Sequence, residues 1–181
     1  MSSLVISGDT SGAITLAAPA VSGTNTATLP AATGTVMVSG NMPAFSAYGS
    51  TVQTISTASY TKIILNNIEF DTSSAFDYTT NYRFNPKVAG YYQINGSVWW
   101  NTASGTTYCE TILYKNGSIY KFSPGYITPN GYGGAGVSSV VYFNGSTDYV
   151  ELYTIQSSGS SQTTSPNLYG VFMNGSLIRG A

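Results

Sequence analysis

The chain has 181 residues, a formal net charge of -1, one Cys and no His, and charged residues make up 7% of it, against roughly 25% in ordinary soluble domains. That balance leaves no basic footprint for DNA or RNA. The missing His excludes Ser-His-Asp and Cys-His catalysis as well as His-ligated metals, and a lone Cys109 excludes an intrachain disulfide framework and a Cys-based zinc cluster. No run of the roughly 18 apolar residues that cross a membrane occurs, and the start, Met1-Ser-Ser-Leu-Val-Ile, lacks the basic and long apolar regions of a secretory signal.

Solubility therefore rests on Ser, Thr, Asn and Gly, residues of turns and strand faces rather than of helices. So few charges give copies of the chain little repulsion, which suits a β-rich protein covered by copies of itself or by a larger assembly. Residues 1–42 form the first of two expected regions. Up to Asn41 they hold one charge, Asp9, and no aromatic; Pro19 and Pro30 exclude a continuous helix. Ala13-Ile14-Thr15-Leu16 and Thr35-Val36-Met37-Val38 alternate as an extended strand in search of a partner does. Ile14, Leu16, Leu29, Val36 and Val38 are too few for a core and read as small apolar pegs. The segment is either a flexible tail or an extended arm, of roughly 130 Å at full stretch, laid on a neighbouring protein surface by strand addition.

From residue 43 to 181 the period becomes two. Strands are expected over 52–55, 62–70, 82–84, 91–100, 108–115, 118–122, 138–143, 149–155 and 168–174, with no helical stripe anywhere. Asn116-Gly117 marks a tight hairpin, and Asn144-Gly145 a similar one with a longer loop. Residues 131–136 read as a Gly-rich turn lacking the Lys-Ser/Thr of a phosphate cradle, and 157–165 as a polar loop. About nine short strands at this spacing indicate an all-β sandwich or jelly roll. Trp99 and Trp100 alternate faces, so one is buried and the other reaches a surface, and Cys109 is a small buried hydrophobe.

Residues 43–174 carry Pro43-Ala44-Phe45-Ser46-Ala47, Ile68-Glu69-Phe70-Asp71, the Phe84, five residues, Gly90, one residue, Tyr92 pattern, Leu113-Tyr-Lys-Asn116-Gly117, Val150-Glu-Leu152 and Leu168-Tyr-Gly170-Val-Phe172. With these motifs the segment resembles the globular head of complement component 1q, within the tumour-necrosis-factor-like superfamily. Ile94 and Gly96 depart from it, standing where aromatics usually follow the Tyr. It implies a jelly-roll β-sandwich packed as a homotrimer, and binding or scaffolding rather than catalysis. It also implies Phe45, Tyr92 and Tyr169 in or beside the contact between protomers, with ordinary sandwich core as the other reading. Ile14-Thr-Leu16-Ala-Ala-Pro19 followed by Gly23-Thr-Asn-Thr-Ala-Thr-Leu29-Pro30-Ala-Ala-Thr-Gly34-Thr-Val36 is similar to a segment recurring in tailed-bacteriophage structural proteins.

Among the acids, Glu69 and Asp71 lie two apart on one strand face with Asp77 in a following loop. They are either solvated strand-end acids or, together, ligands for Ca²⁺. A paired-carboxylate hydrolase would need a sugar cleft that nothing here marks, and Asp148 and Glu151, an odd number apart, face opposite sides. Asn95, Asn116, Asn144 and Asn174 each head an Asn-Gly-Ser triplet, formally a glycosylation acceptor; turn chemistry accounts for most, while the resemblance puts Asn95-Gly96 within a strand. No catalytic residue and no cofactor is expected. The chain reads as complete from Met1 to Ala181 without a long fibre shaft. The expected function is a trimeric capsid decoration or cement protein, located on the virion, whose arm over residues 1–42 binds the major capsid or another virion protein. The alternative is a short tail-fibre tip whose head recognises a host surface glycan or protein.

Overall fold

The structure, a computed structural model, describes residues 3–8, 10–17, 19–21, 23–26, 36, 38, 42–101, 105, 107–129 and 133–181. They divide into two units, one within Met1–Gly34 and one within Thr35–Ala181.

In the first unit, β1 (Ser3–Ser7) and β2 (Ala13–Ala17) form an antiparallel hairpin, closed by the Gly8 amide donating to the Gly12 carbonyl at 3.0 Å. The partner that the Ala13–Leu16 alternation calls for is thus the chain's own Leu4-Val5-Ile6. Register opposes Leu4 to Leu16 and Ile6 to Ile14, so these four share one face, while Val5 opposes Thr15 on the other.

The second unit is a two-sheet sandwich without a helix among the described residues. One sheet runs β6 (Asn67–Asp71), β3 (Ala44–Tyr48), β15 (Phe172–Gly180), β9 (Gly90–Trp100), β12 (Gly133–Phe143). The other runs β11 (Ser118–Ile127), β10 (Thr107–Lys115), β13 (Val150–Gln156), β8 (Arg83–Phe84), β7 (Phe76–Asp77), with β5 (Thr61–Lys62) also paired to β13. A small ribbon of β4 (Thr54–Ile55) and β14 (Gln162–Thr163) completes the set. Among the described residues the sheets join where Tyr126 of β11 pairs with Gly134 of β12. Apart from the β10–β11 hairpin, the long strands from β9 to β15 alternate between the sheets, which is jelly-roll connectivity.

Period-two burial shows why the strands stack. Along β9, Tyr92, Ile94, Val98 and Trp100 are wholly buried while Tyr91, Gln93, Asn95, Ser97 and Trp99 face outward. At one end of the core, Phe84 of the second sheet stacks on Phe45 at 4.1 Å between centroids and meets Tyr92 and Phe143 edge-on at 5.6 and 5.9 Å, all three from the first sheet. Burying each such ring is worth ~2–3 kcal/mol. Gly96 is set by packing: a Cβ there would stand 2.5 Å from Leu152 Cδ1 of the opposing sheet.

Several expectations are corrected. The last strand is Phe172–Gly180 rather than 168–174, because Leu168 and Tyr169 belong to a turn pinned by the Asn167 side chain, whose Oδ1 accepts from the Tyr169 amide at 2.9 Å. Asn144-Gly145 does not close a hairpin: β12 and β13 lie in different sheets, and Asn144 Oδ1 gathers the amides of Ser146, Thr147 and Asp148 to turn the crossing. Of the expected turn at 131–136, Gly133 to Gly136 are strand β12, and the first two residues lie outside the described ones.

Candidate interaction surfaces

The residues expected at the protomer contact separate sharply. Phe45 and Tyr92 are wholly buried in the protomer's own core, so their rings have no surface left for a copy and follow the other reading, ordinary sandwich core. The Tyr92 hydroxyl donates to the Val88 carbonyl at 2.8 Å, and burial pushes its pKa up to about 12. Tyr169 is 82% exposed on its pinned turn. Cys109 is buried as expected, with its thiol pushed up to about 11 by burial, and Trp100 is buried while Trp99 reaches the surface.

Glu69, Asp71 and Asp77 do not converge, and no group of three or more His, Cys, Asp or Glu is placed to hold a metal ion among the described residues. Register pairs Phe70 with Ser46 and Ile68 with Ala47, so Glu69 sits on a bulge, which breaks the simple two-apart geometry expected of it and Asp71. Glu69 Oε2 accepts from the Ser46 hydroxyl at 2.6 Å. Asp71 instead caps its own turn, accepting from the Ser73 and Phe76 amides at 3.1 and 2.7 Å. Asp77 ends β7 and accepts from the Thr79 and Thr80 amides and the Asn81 side chain; the Thr80 amide leads in holding its carboxyl at about 2.

Of the arm residues, Ile14 and Leu16 are 68% and 56% exposed; with Leu4 and Ile6 they make an uncovered apolar face on the β1–β2 hairpin. Val36 and Val38 are exposed, and Leu29 lies outside the described residues.

Three further surfaces belong to the sandwich. The outer face of the first sheet is polar at its centre, where Asn95 Nδ2 donates to Asn174 Oδ1 at 3.0 Å and Ser138 Oγ to Asn95 Oδ1 at 2.8 Å. Two of the four Asn-Gly-Ser triplets thus face each other across β9 and β15. One end of this face, and the open edge of β12 beside it, carry exposed Tyr91, Val140, Tyr142 and Ile178, and Tyr120 reaches across from β11 to the Val140 carbonyl. A groove of about 340 Å³ at the other end is lined by Trp99, Ser165, Asn167, Tyr169 and Gly170. The outer face of the second sheet is an aromatic field in which Tyr114 stacks on Tyr153 at 3.9 Å and Tyr108 meets Tyr126 edge-on at 5.9 Å. The Tyr108 hydroxyl donates to Glu110 Oε1 at 2.6 Å, and this bond leads in pushing its pKa up to about 12. No sequence signal marks Glu110, because its surroundings come from three separate strands.

Among solved structures, murine APRIL matches 76% of this chain over all of its own length, with a TM-score of 0.55 and 9% identity. Eiger TNF from S. frugiperda matches 77% over 94% of its length, at a TM-score of 0.57 and 9% identity. The jelly-roll fold is similar to that of these two proteins. The globular domain of the zebrafish complement 1qA protein matches 77% over 99% of its length, at a TM-score of 0.50 and 14% identity. At such identities the likeness is one of fold. No protein-family model matches the sequence, and no curated protein does.

Proposed function

We propose that this chain is a non-catalytic virion structural protein of a tailed bacteriophage: a homotrimeric jelly-roll head that decorates the capsid, tied to the shell by the arm over residues 1–42. The observation that carries this reading is the β1–β2 hairpin. Leu4, Ile6, Ile14 and Leu16 lie on one face of a two-stranded ribbon and are each more than half exposed, between 53% and 68%. A two-stranded ribbon has no second layer to bury such a face against. Covering the four side chains on a capsid surface is worth on the order of 4 kcal/mol, and three tethered arms raise one another's effective concentration.

The trimer is supported by the fold and by what the protomer leaves bare. Tyr91, Val140, Tyr142 and Ile178, with Tyr120 at the open edge and Tyr169 on its turn, are the surfaces through which copies would close around a threefold axis. Partners are accordingly a second and third copy and a capsid protein, with neither nucleic acid nor membrane.

Sedimentation tests this. The full chain is expected to run as a trimer and to co-sediment with virions of the phage that encodes it. Removal of residues 1–42 should preserve the trimer and abolish co-sedimentation. A truncated chain that still attaches, or a full chain that is monomeric, overturns the proposal. The tail-fibre alternative draws on the Trp99–Tyr169 groove, whose exposed aromatic rings suit a host glycan. It requires the isolated head to adsorb to host cells and to compete with infection.

A further inference from the structure

Glu110 lies in the middle of the outer face of the second sheet, and register fixes its surroundings. Pro124 of β11 and Ile155 of β13 flank it; Tyr108 and Tyr126 occupy the row on one side, Ile112 and Phe122 the row on the other. These six are aromatic or aliphatic; on the β13 side Tyr153 completes the row of Ile112, and Ser157, whose amide donates to the Tyr108 carbonyl at 3.1 Å, completes the row of Tyr108. Ile112 is wholly covered, whereas Phe122 and Tyr126 are 55% and 60% exposed. Oε1 of Glu110 accepts from the Tyr108 hydroxyl, and Glu110 takes part in no ion pair among the described residues. Glu151, on the same face of the neighbouring strand, is by contrast paired with Lys62 at 2.6 Å. Lys121 offers Glu110 nothing: it opposes inward-facing Leu113, and its ammonium lies 5.5 Å from the Tyr120 ring.

A carboxylate with one oxygen uncommitted among the described residues, set among exposed rings, attracts positive charge twice over: through its own charge and through the π faces beside it. The ring geometry narrows the choice. The Tyr108 and Tyr126 planes meet at 74° and form a corner, whereas a sugar ring stacks on a flat platform. A quaternary ammonium has no proton to give Glu110; an ammonium or guanidinium does. We propose that this corner receives an arginine or lysine side chain of a protein partner, its charged head on Glu110 and its stem against Tyr126 and Phe122. The site is independent of the hairpin and of the surfaces assigned to the trimer.

The full chain, labelled at its Tyr rings, would be titrated in an NMR experiment with the capped tripeptides Gly-Arg-Gly, Gly-Lys-Gly and Gly-Gln-Gly, and with choline and cellobiose. The Arg and Lys peptides are expected to shift the Tyr108 and Tyr126 signals saturably, with weaker binding at high salt. Glu110→Gln, which keeps an acceptor for the Tyr108 hydroxyl, should weaken that binding about tenfold, as loss of one charge-assisted hydrogen bond does. The buried Tyr92 ring reports in the same spectra that the variant is folded. Equal shifts from the Gln peptide, unchanged binding by Glu110→Gln, or tighter binding of choline or cellobiose than of the Arg peptide would each overturn the assignment.

Discussion

Lys62 Nζ lies 2.6 Å from Glu151 Oε1, and the two side chains are 32% and 6% exposed. Lys62 also donates to the Asn81 carbonyl at 3.2 Å, so one ammonium ties together the two-residue strand β5, the strand β13 and the turn after β7. Taking two charges out of water costs more than their attraction returns unless both stay paired, and removing one partner strands the other.

Lys62→Met is therefore expected to destabilise the head by ~3 kcal/mol, because it leaves the enclosed Glu151 carboxylate without its cation. The double variant Lys62→Met with Glu151→Leu should recover most of that loss, since both charges then leave the site. Urea denaturation of the wild type, the single variants Lys62→Met and Glu151→Leu, and the double variant measures the coupling. Additive single effects would show that the pair contributes no more than its separate side chains.

Acid should weaken the fold in a narrow window. Asp77 holds its proton only below about 2, against an ordinary 3.8, chiefly through the Thr80 amide. Asp148 is also lowered, chiefly by the Asn116 amide group that donates to it at 2.8 Å. A folded pKa below the unfolded one means stability present above the unfolded value and lost as pH falls through the folded one. Discounted for solvent screening at this exposed turn, Asp77 contributes on the order of 1 kcal/mol. Stability is thus expected to decline between about pH 4 and pH 2, and to stay flat from about pH 5 to 8 in a chain without His. Asp77→Asn should flatten the acid limb in denaturation curves taken across that range.

What the sequence made legible was local. Period-two burial along residues 91–100 and the split between Trp99 and Trp100 follow from alternation alone, and Asn116-Gly117 carries its own turn chemistry. The strand β15 was misplaced because Asn174-Gly175-Ser176 reads as a turn, while in the fold Asn174 faces Asn95 across the ladder. Gly133 to Gly136 were likewise hidden, since a run of glycines signals a loop unless neighbouring backbones need the space. Phe45 and Tyr92 could not be sorted from Tyr169 along the chain; burial depends on which residues the opposing sheet brings, here Phe84. Nothing in sequence marks Glu110, whose setting exists only once β10, β11 and β13 are in register.

The Asn116-Gly117 hairpin is the most sharply specified turn in the head. Both residues take positive φ, 53° and 79°, the mirror-image turn whose twist matches the flanking strands β10 and β11. Asn116 adds two bonds to the loop before β13: its amide nitrogen donates to Asp148 Oδ1 at 2.8 Å, and its Oδ1 accepts from the Tyr149 amide at 2.9 Å. Gly117→Ala forces a Cβ into the left-handed region and should cost ~1 kcal/mol, a fall of about 3–5 °C in Tm. Asn116→Ala introduces no new Cβ, but it gives up the tolerance of Asn for the left-handed region and loses both bonds, so its loss should be about twice as large, ~2 kcal/mol. Thermal denaturation of the two variants ranks them. An Asn116→Ala protein no less stable than Gly117→Ala would mean that the turn, and not its link to Asp148 and Tyr149, sets the stability of this end of the sheet.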